Sequence, residues 1–282
     1  MSKLGGFIKL IRPVNCAMMG FAVFVGAILA ASQPFQANWL NVIYGFFAGF
    51  LLCAAAMTIN DYYDRAIDAV NEPARPIPSG LVGANTALAF VFLLTAVGLV
   101  FAYFSSVLCL LVAVASWIIT VSYVTIGKRS GLPGNFLVST CVAIPFIYGS
   151  MAVTNTIQLN VLLFALMAFL SNTGREITKG IVDVKGDSAE GIKTLAVRYG
   201  DKKAAVAASI FYISAVALTP LPLVLGLVSI WFIPLVLVTD VGLVASSLVL
   251  LRNYSRENAR KIKKLVLLWF VFGLLAYIFG AL

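Results

Sequence analysis

Two groups of residues in this chain have the types and spacing to do chemistry. The first is Asn60, Asp61, Asp64 and Asp68. Successive residues of an α-helix turn by about 100°, so these four fall within an arc of roughly 100°. One helical face would then carry three carboxylates and an amide. Like charges at this spacing repel, so a bound cation is what makes such a face favourable. The second group is Asn172, Arg175, Glu176, Lys179, Asp183 and Asp187. If a helix continues through Gly186, then Asn172, Glu176, Lys179, Asp183 and Asp187 share one face. Its two carboxylates four residues apart again invite a cation, and Lys179 beside them invites an anion. The chain contains no His. That excludes an imidazole base, a Ser-His-Asp triad and a His-ligated zinc or iron. Oxygen donors point instead to a hard cation such as Mg2+. Mg2+ bridging carboxylates to a polyphosphate, with Lys and Arg taking the remaining charge, suits both groups.

The elements that must position these residues follow from composition. Of the 282 residues 61% are hydrophobic and 11% are charged, against about 25% charged in an ordinary soluble domain. Too little polar surface is left to cover a soluble fold. A soluble enzyme, a disordered chain and a nucleic-acid module are therefore excluded, and the expected partner is the lipid bilayer. The four cysteines, Cys16, Cys53, Cys109 and Cys141, are scattered through apolar runs and read as small buried hydrophobes.

A membrane-spanning helix needs about 20 apolar residues. Nine segments qualify, at 13–32, 39–59, 84–104, 106–126, 135–153, 157–174, 204–222, 228–251 and 264–281. The third and fourth are joined by a tight turn at Ser105-Ser106. The first follows Lys3, Lys9 and Arg12, but its apolar run is too long for a signal peptide, so it reads as a retained helix. With nine crossings, all 20 Lys and Arg fall at the N-terminus or in the connections on its side. The opposite loops, such as 33–38, 154–156 and 219–227, have none. The positive-inside rule then places the N-terminus, and both acidic groups, in the cytoplasm. Of the 11 acidic residues only Asp240 lies elsewhere, near the middle of the eighth span. A charge at that depth is costly, so Asp240 is expected to face the protein interior, bonded to a Ser, Thr, Asn or Tyr side chain or a backbone carbonyl.

At these residues the chain resembles the UbiA superfamily of intramembrane prenyltransferases. Asn60, Asp61, Asp64 and Asp68 match its first motif, NDxxDxxxD, and Asp183 and Asp187 match its second, DxxxD. The basic loop after the family's fourth span is matched loosely by Tyr123 and Lys128. Two further stretches are most like archaeal digeranylgeranylglyceryl phosphate synthases: Asn71 to Gly80, and Gly174 through Asp187 to Gly200. Chlorophyll synthases and some quinone-pathway enzymes share parts of both.

The resemblance implies an all-α polytopic membrane protein, a single domain over 1–282. Nine helices would surround a central cavity, as two four-helix halves plus a ninth helix. A cytoplasmic cap would come from 60–83, 127–134 and 174–203. It implies an enzyme of the cell membrane whose active site faces the cytoplasm. That enzyme would move a prenyl group, in the leading case geranylgeranyl, from its diphosphate to a lipophilic acceptor. The leading acceptor is the glycerol hydroxyl of geranylgeranylglyceryl phosphate, in archaeal ether-lipid synthesis. An aromatic quinone precursor or a tetrapyrrole is the alternative. Mg2+ would be held by Asn60, Asp61, Asp64, Asp68, Asp183 and Asp187, the five aspartates being catalytic. Arg75, Tyr123, Lys128, Arg175, Lys179 and Lys185 would bind the diphosphate or the acceptor phosphate. An ion-coupled transporter is the competing class. Against it, the acidic groups sit at helix ends and not at the midplane, and the opposite face has no charged exit.

Overall fold

A computed structural model describes residues 3–31, 38–189 and 191–281, and the backbone alone at 70 and 71. Most of the connection expected at 33–38, and Glu190 within the expected cap, lie outside the described residues. The described chain is helical, with no strands among the described residues. Its elements are α1 (Lys3–Ile11), α2 (Pro13–Ala30), α3 (Trp39–Asn71), α4 (Ala84–Ser105), α5 (Val107–Thr125), α6 (Leu132–Thr154), α7 (Leu159–Ala189), α8 (Leu195–Tyr199), α9 (Asp201–Leu218), α10 (Leu221–Val224), α11 (Phe232–Arg252) and α12 (Arg256–Gly280).

Eight of these helices are long and apolar enough to cross a membrane. The segment expected to cross at 157–174 lies in α7, a helix of 31 residues. Its apolar run ends at Leu170, and the polar sequence from Ser171 onward belongs to the same continuous helix. That lowers its hydropathy relative to the other eight. The turn expected at Ser105-Ser106 is a single residue. Ser106 is extended between α4 and α5, and its Oγ accepts the Cys109 N–H at 3.0 Å. It thereby satisfies one of the donors that a helix start leaves open.

The chain forms two compact units, 1–125 with 144–157, and 126–143 with 158–282. In the first, α3 is the central element and packs against α1, α2, α4 and α5. Its buried positions are mostly small, including Ala48, Cys53, Ala54 and Ala55. Small residues let helix backbones approach closely, the main way helices associate where lipid removes the hydrophobic drive. The same device appears where α2 meets the later part of α6. A Cβ on Gly26 would collide with the Phe146 carbonyl, and one on Gly149 with the Val23 carbonyl. The chain passes between units within α6, next to Pro145, which lacks the N–H that an interior helix position donates.

In the second unit α7 is central and packs against α8, α9 and α12. Its core holds Ile177, Ile181, Ala208, Tyr212, Leu250 and Val266. Large apolar side chains such as Phe92, 67% exposed, and Ile118, 59% exposed, cover the outer faces of α4 and α5. Such a surface is costly in water and suits contact with lipid tails. α3 and α7, with 33 and 31 residues, are the longest helices described. Each is about 1.5 Å per residue, or close to 50 Å, which exceeds the roughly 30 Å hydrocarbon core. Each is longer than the apolar layer is thick, and each acidic group lies in its C-terminal part.

Candidate active site

The first acidic group is built on the last turns of α3. Asp61 and Asp68 are buried, at 4% and 6% exposure, and Asp64 is half-buried. Asn60 donates from Nδ2 to Asp64 Oδ2 at 3.0 Å, so the amide and this carboxylate support each other along the helix. Two guanidinium groups reach the other carboxylates. Arg12 Nη2 lies 2.6 Å from Asp61 Oδ1. Arg75 Nη1 lies 2.7 Å from Asp68 Oδ2 and 3.6 Å from Asp61 Oδ1.

Both arginines are positioned by local backbone that the sequence dictates. Arg75 sits in the turn after α3, where its N–H bonds the Glu72 carbonyl at 2.9 Å and its own carbonyl accepts from Ser79 at 3.0 Å. Lys9 Nζ donates to the Ala74 carbonyl at 3.1 Å, tying α1 to this turn. Partial burial works against the Arg75 charge. The hydrogen bond to Asp68 and the charges of Asp68, Asp61 and Glu72 outweigh it and push its pKa above the ordinary arginine value. Arg75 is therefore a permanent cation here. Arg12 separates α1 from α2. It precedes Pro13, whose ring disfavours the right-handed helical region for the residue before it. It takes φ 51°, a left-handed conformation, which costs a non-glycine residue roughly 1–2 kcal/mol.

The second acidic group occupies the C-terminal half of α7. The helix continues through Gly186 to Ala189, so the face expected to carry Asn172, Glu176, Lys179, Asp183 and Asp187 is formed. Asn172 Nδ2 donates to Ser139 Oγ at 3.1 Å, and Thr173 Oγ1 donates to the same oxygen at 2.9 Å. Gly174 lets α9 come close. A Cβ there would meet the Tyr212 ring at 2.8 Å. The fully buried Tyr212 hydroxyl thereby reaches Thr178 Oγ1 at 3.0 Å. Glu176 is flanked by Arg175 Nη1 at 3.0 Å and Lys179 Nζ at 3.4 Å. Arg175 Nε is buried with no hydrogen-bond partner among the described residues. Asp183 and Asp187 are half-buried, and Lys185 is exposed. The helix end is closed by Ile192 N–H to the Asp187 carbonyl at 2.8 Å, and Arg256 Nε donates to the Val182 carbonyl at 2.8 Å.

The structure thus brings together Asn60 with Asp64, Asp61 and Asp68 with Arg75, and Arg175 and Lys179 with Glu176. Tyr123 is half-buried against the core around Cys53 and Val124. Lys128 is half-buried in the 3-10 turn Gly127–Arg129. Asp240 faces into the protein, accepting from Thr219 Oγ1 at 2.7 Å through one carboxylate oxygen. Its other oxygen is buried without a partner among the described residues. Sequence reasoning counted Arg12 only as an N-terminal cation on the basic side. The Arg-Pro pair at the start of the first span, which forces a break there, was the available signal. Arg256 was likewise counted only with the basic run before the last span.

The donor chemistry suits Mg2+, since every candidate ligand offers oxygen. Among the described residues no three carboxylates gather closely enough to enclose an ion by themselves.

Long apolar helices, two of them ending in acidic and basic side chains, define a polytopic membrane protein. Residues 19–277 match the UbiA prenyltransferase family, and the chain belongs to it. It is 33% identical to a digeranylgeranylglyceryl phosphate synthase of Methanocaldococcus jannaschii, covering 100% of this chain and 98% of that one. A solved structure from work on digeranylgeranylglyceryl phosphate synthase in membranes superposes with a TM-score of 0.87 at 33% identity, covering 100% of this chain and 99% of the other. A UbiA homolog from Archaeoglobus fulgidus, solved bound to GPP and Mg2+, shares the fold at a TM-score of 0.66 and 16% identity, covering 96% of this chain and 99% of the other.

Proposed function

We propose that this chain transfers a geranylgeranyl group from its diphosphate to the glycerol hydroxyl of geranylgeranylglyceryl phosphate, in the membrane synthesis of archaeal ether lipids. The observation that carries this reading is the end of α3, where Asp61, Asp64 and Asp68 alternate with the guanidiniums of Arg12 and Arg75. Carboxylates for a hard cation beside permanent cations for phosphate oxygens form the pairing that a metal-bridged diphosphate needs. Full-length similarity to the Methanocaldococcus synthase supports the choice of acceptor.

In this proposal Asn60, Asp61, Asp64 and Asp68 on α3 and Asp183 and Asp187 on α7 hold Mg2+. The metal supplies neutralisation of the diphosphate and makes it a better leaving group. Arg75, Tyr123, Lys128, Arg175, Lys179 and Lys185 take phosphate oxygens. The partnerless Arg175 Nε is a donor of the required kind. The apolar spans accept the prenyl chain from the bilayer and keep water from the allylic cation formed as the C–O bond breaks. The acceptor hydroxyl oxygen then bonds C1, its proton passes to the released diphosphate, and no covalent enzyme intermediate is required.

The proposal also includes nine crossings with the N-terminus in the cytoplasm, α7 supplying the sixth, and a four-plus-four-plus-one arrangement of the helices. Both acidic helix ends and the segments 60–83, 127–134 and 174–203 then face the cytoplasm, where the soluble diphosphate head and Mg2+ are available.

The acceptor is tested with the purified protein, geranylgeranyl diphosphate and paired lipids. Geranylgeranylglyceryl phosphate should be prenylated, and its dephosphorylated form should show a much higher KM or no turnover. Equal rates with both would reject the phosphate-bearing acceptor and favour an uncharged or aromatic one.

A further inference from the structure

Arg12 lies outside the residues that the motifs pick out, yet it makes the shortest ion pair at the first acidic group. Its Nη2 is 2.6 Å from Asp61 Oδ1, across 49 residues of sequence. Its Nη1 also reaches Met57 Sδ at 3.5 Å, one helical turn before Asp61. The carboxylate it holds is 5% exposed, while the arginine is 36% exposed. The aspartate is thus fixed and shielded, and the cation retains access to solvent. Arg12 also carries positive φ. A non-glycine residue is kept in that conformation only where the surroundings over-determine it, and such residues cluster at functional sites. The break between α1 and α2 is what aims this guanidinium at α3.

The second cation near Asp61 is Arg75, at the longer distance of 3.6 Å, with its closer contact on Asp68. Asp61 therefore depends chiefly on Arg12 for its counter-charge. A carboxylate already neutralised by a guanidinium is a poor ligand for a divalent cation, because the arginine repels the ion and occupies an oxygen lone pair. A phosphate changes this balance. Guanidinium binds phosphate oxygens as well as it binds carboxylates.

We infer that Arg12 is a positioning residue that serves as the resident counter-ion of Asp61 and makes metal binding there conditional on the diphosphate. When diphosphate arrives, Arg12 exchanges the carboxylate for a phosphate oxygen, and Asp61 is released to the cation that arrives with it. No covalent bond changes in this step. The inference rests on the proposed function, which supplies the diphosphate and the metal. It predicts that the wild-type protein binds a divalent cation weakly alone and much more tightly with inorganic diphosphate.

The test uses the full chain in detergent. Free Mn2+ is counted by electron paramagnetic resonance during titration, with and without inorganic diphosphate. Arg12→Gln removes the charge and keeps the length. Arg12→Gly removes it while relieving the backbone. Arg12→Lys keeps the charge. Without diphosphate, the Gln and Gly variants should bind Mn2+ at least threefold more tightly than wild type, and the Lys variant within twofold of it. With diphosphate, the gain should vanish or reverse. A purely structural Arg12 would alter melting temperature and leave the Mn2+ affinity unchanged. That result in either folded neutral variant would overturn the inference. If the wild-type chain binds neither Mn2+ nor diphosphate, the proposed function itself falls, a different outcome from tight binding that ignores Arg12.

Discussion

At the end of α3 two carboxylates, Asp61 and Asp68, are neutralised by residues outside the helix, Arg12 from the α1–α2 break and Arg75 from the following turn. In α7 the described ion pairs of Glu176 are local, with Arg175 and Lys179 on the same helix. The first group buries two of its aspartates, and the second leaves Asp183 and Asp187 half-buried. Burial decides what a lost partner costs. A carboxylate stranded in a low-dielectric site costs far more than one that can turn to water. On the proposed function the two groups are alike in their need for metal, and their burial makes them unlike in their contribution to stability.

The largest expected effect concerns the likeness. Asp64→Ala and Asp183→Ala should each lower prenyl-transfer turnover by about 10²-fold or more, the scale of removing one preorganised charge-stabilising group. Steady-state rates at saturating Mg2+ check this. A near-normal rate in either variant would remove that helix end from the reaction and break the comparison.

The next effect concerns the difference. Arg12→Ala removes the main partner of a buried carboxylate and should cost about 1.5–3 kcal/mol, the range for hydrogen bonds to charged groups. Lys179→Ala removes an exposed partner of Glu176 and should cost under about 0.5 kcal/mol. Thermal unfolding of both variants in the same detergent gives the contrast. Equal losses would mean that burial does not separate the two groups.

Asp240 offers a smaller, third case, a carboxylate with a neutral partner. Asp240→Asn should fold and keep most activity. Asp240→Leu removes the carboxylate from the Thr219 hydroxyl, which keeps only the Val216 carbonyl at 2.8 Å, and should cost about 1 kcal/mol. Melting curves and transfer rates of the two variants distinguish this from a catalytic role, in which the Asn variant would be as inactive as the motif variants.

Much of this was legible in the sequence. The positions of Asn60, Asp61, Asp64 and Asp68 are set by helical period alone, and α3 presents them as that period requires. Ser105-Ser106 was legible because two apolar runs abut there with nothing else to separate them. Asp240 had to find a polar partner, and Thr219 is of the expected kind. The Arg12–Asp61 pair was not legible, because hydropathy gives spans and charge balance but no distances between residues 49 apart. The segment expected to cross at 157–174 was legible only in part, because its apolar run ends at Leu170 and the same helix continues as polar sequence from Ser171.

The central claim is that one chain uses both helix ends to transfer a prenyl group. The most direct measurement incubates purified wild-type, Asp64→Asn and Asp183→Asn proteins with labelled geranylgeranyl diphosphate, geranylgeranylglyceryl phosphate and Mg2+. Labelled lipid and free diphosphate are then quantified. The account predicts one diphosphate released per lipid formed by the wild-type protein. Product should be lost on chelation and nearly absent in both variants. Wild-type protein that forms no prenylated lipid, or variants that form it at wild-type rates, would contradict the account.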